Sequence, residues 1–111
     1  MINKLKNKYL PILPFLIFFI ILTYLVSDHI FFWDTVQLGA KHGLHFYDTR
    51  FSDILLPDAI DSGHVPVFGM YLAFIWLLFG KSLLVSHFAM LPFLLGIVFQ
   101  SFYLIKRYIP Q

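Results

Sequence analysis

Three apolar runs separated by short polar breaks leave this chain few folds to choose from. The first, Leu10 to Val26, holds seventeen residues of which Thr23 alone is clearly polar, and Tyr9 and Ser27 extend it to nineteen. As a helix it would be roughly 28 Å long at about 1.5 Å per residue, enough to cross the hydrocarbon core of a bilayer. Val65 to Gly80 and Ser82 to Ile105 form the second and third runs, with Lys81 between them. As one helix they would reach roughly 60 Å, twice that core, so they must fold back on each other. The turn belongs at Phe79 to Ser82, where Gly80 breaks the helix and Lys81 can snorkel to the headgroups. Composition excludes a water-soluble domain: 59% of the 111 residues are hydrophobic and only 13% are charged, too few to cover a wet surface.

The expected fold is therefore all-α, a polytopic membrane protein with about three transmembrane helices over 9–27, 65–80 and 82–105. Residues 1–8 carry Lys4, Lys6 and Lys8 and no acid, which assigns the N-terminus to the cytoplasm. A cleaved signal peptide fits less well, since the apolar run is too long and no small-x-small site follows it. With three spans the hairpin at Lys81 returns to the cytoplasmic side. Residues 106–111 then form an external tail or the start of a further region, with Lys106 and Arg107 against the positive-inside trend.

Residues 28–64 differ in kind. This segment holds all six acids, Lys41, Arg50 and four of the five histidines, for a net charge of −4. Such a loop suits the external face, and 37 residues are too many for a structureless connector. Two short interfacial helices are expected in it. One starts after Asp34, whose carboxylate caps the first turn, and carries Val36, Ala40 and Leu44 on one face. The other runs from Ser52 to Asp61, with Pro57 in its middle and Gly63 ending it.

Candidate chemistry gathers in the same loop. Asp34 follows Phe31, Phe32 and Trp33, aromatic residues suited to the headgroup layer, so its carboxylate could take a proton from an acceptor or meet a cation beside a lipid-linked substrate. The plainer alternative is a helix cap. His64, beside Val65 and Pro66, is placed to meet a phosphate headgroup, and Lys41 and Arg50 are the loop's two cations for a phosphate or diphosphate. His42 and His45 share a helical face and could be joined by His29 or His64, but no HExxH or comparable signature accompanies them, and no metal site is assigned. Cofactors stay open, a divalent metal included. His87 and Gln100 are polar groups inside the third run, suited to hydrogen bonding within a bundle. A net charge of +2 without a basic, aromatic-interleaved patch gives nucleic acid nothing to bind.

The order of features carries more than any one of them. A basic start and first span, then FFWDT, a long loop, and DSGHVPVFGMYLAFIWLLFGKSLLVSHFAMLPFLLG together resemble the N-terminal part of the GT-C superfamily of membrane glycosyltransferases. The branch is that of protein mannosyltransferases and the lipid A aminoarabinose transferase. Gly63, His64 and Pro66 loosely match its small-residue and His-Pro or Pro-Pro entry to the second span, and Phe79 and Gly80 its Phe-Gly turn. The resemblance spans residues 8 to 107, about the first quarter of a typical member. It implies that Asp34 is the catalytic or metal-proximal carboxylate, that the donor is a polyprenyl-phosphate sugar, and that transfer inverts the anomeric centre on the external face. It also implies that the chain is part of a larger bundle, inactive alone, whose partners are membrane lipid, the donor and further transmembrane segments. These expectations place it in the bacterial inner (plasma) membrane. The competing accounts are a small accessory or interaction protein, and a transporter fragment in which His87 and Gln100 line a path.

Overall fold

The computed structural model describes residues 10–32 and 35–109. A 3-10 turn, Leu10–Ile12, opens helix α1, Leu13–Leu25. Pro11 and Pro14 are tolerated there because the first N–H groups of a helix have no internal acceptor. Ser27 ends the helix by competing for a carbonyl: its Oγ donates to the Tyr24 oxygen at 2.7 Å and its backbone N–H to the same oxygen at 3.2 Å. A π-helical turn, Val36–Ala40, leads into α2, Lys41–Thr49. Arg50 and Phe51 then both take positive φ, 49° and 61°, a costly conformation for side chains of their size. The Phe51 N–H donates to the Phe46 carbonyl at 3.1 Å and the two rings stack at 5.6 Å, which offsets part of that cost.

Helix α3 spans Val67–Phe79 and α4 spans Leu83–Tyr108. Pro66 sets the start of α3, and Gly80, at φ 87°, ends it. The Ser82 hydroxyl accepts the Val85 N–H at 3.1 Å as the cap of α4, and Lys106 and Arg107 lie in its last turn, where the helix dipole favours cations. α3 packs along the N-terminal part of α4. There the Trp76 indole N–H donates to the Ser86 Oγ at 2.8 Å, and the Tyr71 hydroxyl donates to the Ala89 carbonyl at 2.8 Å.

Two expectations about the fold are overturned. Among the described residues one helix, α4, is long and apolar enough to cross a membrane, and not three. α1 with its opening turn is roughly 25 Å long and α3 roughly 20 Å, both short of a hydrocarbon core of about 30 Å. An apolar run is not a helix length: Ser27 and Pro66 cut the helices inside the runs that contain them. Moreover α3 buries Gly69, Leu72, Ala73 and Trp76, the pattern of a core helix rather than a lone span. Second, among the described residues of the loop no helix forms over 52–61, and the helical stretch is confined to 36–49. Over 52–61 the acids make turns instead: Asp53 Oδ1 accepts the Leu55 N–H at 3.2 Å, Asp61 Oδ1 accepts the Gly63 N–H at 2.9 Å, and Pro57 supports a single turn through its carbonyl. The chain is all-α, with α4 consistent with a membrane-embedded segment.

The hairpin also points differently. Ile12 of the opening turn and Phe15 of α1 share a groove with Ile97 to Ile105 of α4, while Phe31, beyond the other end of α1, lies against His87 with the tilted rings 4.7 Å apart. α1 and α4 are therefore antiparallel. Lys81 lies at the end where the chain leaves α1, with its Nζ 5.3 Å over the Tyr47 ring of α2. Lys106 and Arg107 lie at the end where α1 begins. Because the protein has no cysteine, single probes can test this. Asp48→Cys and Tyr108→Cys in membrane vesicles are expected to react with an impermeant maleimide from opposite faces; labelling of both from one face would disprove the arrangement.

Candidate functional site

The loop is seated on α3 by an approach too close for side chains. Gly43 faces Gly69 while Gly39, four residues before it, faces Phe68 and Leu72, and α2 runs alongside α3 from Phe68 to Trp76. A Cβ on Gly69 would overlap the Cβ of His42 and come within 2.9 Å of the Gly43 backbone nitrogen. One on Gly39 would meet the Phe68 ring at 2.6 Å. This is the small-x3-small spacing that lets helix backbones touch. The buried face is thus Gly39 of the π-helical turn with His42, Gly43 and Phe46 of α2, while Val36 and Leu44, expected to pack, are 36% and 40% exposed. The aliphatic stripe was the wrong guide, because contact here depends on the absence of side-chain volume.

His42 fastens the rest of the loop. It is fully buried, with Nε2 at 3.0 Å from the Ile60 carbonyl and 3.3 Å from Ser62 Oγ. A carbonyl only accepts, so Nε2 carries the proton, and Nδ1 is left buried with its lone pair unmatched. His45 Nε2 is likewise buried without a partner, its ring edge-on to Phe46 at 5.2 Å. Among the described residues no three His, Cys, Asp or Glu side chains converge as a metal set. Removing the clasp with His42→Ala is expected to free residues 50–63 and to raise the rate of tryptic cleavage after Arg50 by roughly tenfold or more, given a loss of about 1.5–3 kcal/mol of local stability. An unchanged cleavage rate in a timed digest would show that the clasp bears no load.

The clasp sets up the turn Asp61, Ser62, Gly63 and His64. Gly63 sits at φ 70°, and the His64 Nδ1–H donates to the Ser62 carbonyl at 2.8 Å, which leaves Nε2 unprotonated on an exposed ring. Asp61 and His64 are the ionisable residues lining a groove of about 550 Å³ whose walls include Ile54, Leu55, Val65 and Met70. Val67, at the amino end of α3, lines it too, so the positive end of that helix dipole adjoins the groove.

The other predicted residues are dispersed. Asp34, with its proposed capping role, lies outside the described residues, as do Trp33 and residues 1–9. Lys41 and Arg50 are exposed at opposite ends of α2, neither pairs with a carboxylate among the described residues, and neither lines the groove. His29 is exposed near the end of α1. The His87 Nδ1–H donates to the Leu83 carbonyl at 2.9 Å in the opening turns of α4, and Gln100 lines an open groove with Gly96 and Pro92. The features missed from the sequence are the Gly39, Gly43 and Gly69 crossing and the His42 clasp; the four-residue glycine spacing was the available signal. No protein family matches the chain, and neither a curated protein nor a solved structure is significantly similar to it.

Proposed function

We propose that the chain is the N-terminal part of a membrane glycosyltransferase that moves a sugar from a polyprenyl-phosphate donor to an acceptor on the external face. The supporting observation is the groove beside His64. Its apolar walls suit an isoprenoid chain, while the His64 ring and the amino end of α3 suit the phosphate. In this scheme the Asp34 carboxylate takes the proton of the acceptor's hydroxyl or amine as that group attacks the anomeric carbon. The bond from that carbon to the phosphate oxygen breaks with inversion, and the charge left on the lipid phosphate is met at His64.

The apolar surfaces of α1 and α4 are consistent with further helices of the parent protein closing the cavity. Leu13, Phe15, Ile17, Phe93, Ile97 and Ile105 are all exposed, and a site for a lipid donor works only when shielded from water. The test is a transfer assay on membranes containing the full-length parent, supplied with a panel of radiolabelled polyprenyl-phosphate sugars. Protein-dependent loss of label from the lipid is expected for at least one donor. Absence of transfer from every donor, with the protein present and folded, would sink the proposal.

A further inference from the structure

We infer that Asp61 is a positioning residue: through the Ser62–Gly63 peptide it fixes the tautomer and the direction of the His64 ring. The value of this to binding rests on the reading of the groove as the seat of the donor phosphate. Asp61 lines the same groove as His64, and by charge alone a carboxylate there repels an anionic ligand. Its geometry gives it another task. Asp61 Oδ1 accepts the Gly63 N–H at 2.9 Å, and the Ser62 carbonyl accepts the His64 Nδ1–H at 2.8 Å. That N–H and that carbonyl belong to one peptide group, which is planar and turns as a unit. Asp61 therefore holds one edge of the plane, and the other edge holds His64.

The turn that carries this plane is itself anchored. The Asp61 N–H donates to the Pro57 carbonyl at 3.0 Å, so the carboxylate projects from a closed turn. The buried His42 reaches the preceding Ile60 carbonyl at 3.0 Å and Ser62 Oγ at 3.3 Å, which ties the segment to α2. Gly63 supplies the φ of 70° that lets the chain bend between the two bonds. Asp61 and His64 are both exposed, so neither bond weighs much against water by itself. They act on one peptide, however, and a charge-assisted bond at its N–H polarises its carbonyl into a better acceptor. The carboxylate thereby favours the tautomer with the proton on Nδ1, and with Nδ1 engaged, Nε2 is the nitrogen left to face a ligand. An asparagine in place of Asp61 keeps an acceptor for the Gly63 N–H and drops the charge, whereas an alanine drops both.

The experiment compares Asp61→Asn and Asp61→Ala in the full chain, purified in detergent with nitrogen-15-labelled histidine. The His64 resonances are identified by their loss in His64→Gln. At alkaline pH the ring nitrogens of the unsubstituted chain and of Asp61→Asn are expected to show the Nδ1–H tautomer as the major form, and those of Asp61→Ala a shift toward Nε2–H. Retention of a radiolabelled polyprenyl phosphate by the same samples is the second readout. Both substitutions remove the like charge, so they differ only in the acceptor. Asp61→Ala is expected to retain the lipid about two- to tenfold less well than Asp61→Asn, the weight of one hydrogen bond. An unchanged His64 tautomer in Asp61→Ala, an equal change in both variants, or equal retention by the two where the unsubstituted chain holds the lipid would each overturn the inference. Should none of the three proteins retain the lipid while the tautomers divide as expected, the positioning stands and the donor-site reading falls.

Discussion

Gly69→Ala is expected to destabilise the protein by about 2–3 kcal/mol, at the upper end of what one added methyl costs in a tight core. The size follows from what the methyl would strike. Its nearest neighbours are the Cβ of His42 and backbone atoms of His42 and Gly43, and backbone cannot rotate aside as a side-chain terminus can. α2 must therefore lift from α3, which also pulls the His42 ring from the Ile60 carbonyl. The same substitution elsewhere grades the effect. At Gly39 the methyl meets the edge of the Phe68 ring, which can turn, so a smaller loss is expected. At Gly43 the nearest atoms are at 3.2–3.4 Å, a contact relieved by shifts of a few tenths of an ångström. At Gly96 nothing lies within 4 Å, and alanine there should be neutral or stabilising by up to about 1 kcal/mol through helix propensity alone. Thermal unfolding in one detergent, followed by circular dichroism, ranks the four. A Gly69→Ala melting temperature equal to that of the parent would mean that the two helices do not approach as described.

That ranking also shows where the sequence could and could not be read. α4 was legible because several signals coincide: Ser82 as a cap, an apolar run beyond twenty residues, and Lys106 and Arg107 at its end. Its observed span, Leu83–Tyr108, overshoots the expected end at Ile105 by three residues because those two cations suit a helical last turn. α1 and α3 were legible as helices and not as lengths, since hydropathy does not register that Ser27 takes a carbonyl from the ladder or that Pro66 begins one. In the loop, Asp53 and Asp61 look like a polar helix face until their side chains are seen closing turns on Leu55 and Gly63. The glycine crossing was hidden for a different reason. Amphipathic patterning counts side chains that bury apolar area, and Gly39, Gly43 and Gly69 act by burying none. The groove beside His64 depends on Ile54 and Leu55 returning from a segment that was expected to be helical.

In the full-length parent, Asp34→Asn is expected to lower transfer by about 100- to 10,000-fold, the usual range for losing a positioned general base. Asparagine keeps the shape and hydrogen-bonding reach of the side chain while removing its capacity to hold a proton, so expression and donor-lipid binding should stay close to those of the parent protein. The neighbours on both sides of this position are anchored. Phe31 lies against His87 with the tilted rings 4.7 Å apart, and the Val36 N–H donates to the Phe32 carbonyl at 3.1 Å, the hydrogen bond from which the turn into α2 begins. The two quantities to measure are turnover with the labelled donor and retention of that donor by purified protein. Loss of turnover with retained binding marks Asp34 as the base. Loss of both together would instead assign it to the structure of the loop, where its only role would be to cap the helical turn that follows. Unchanged turnover would remove Asp34 from the mechanism and leave the His64 groove as a lipid-binding feature without chemistry attached to it.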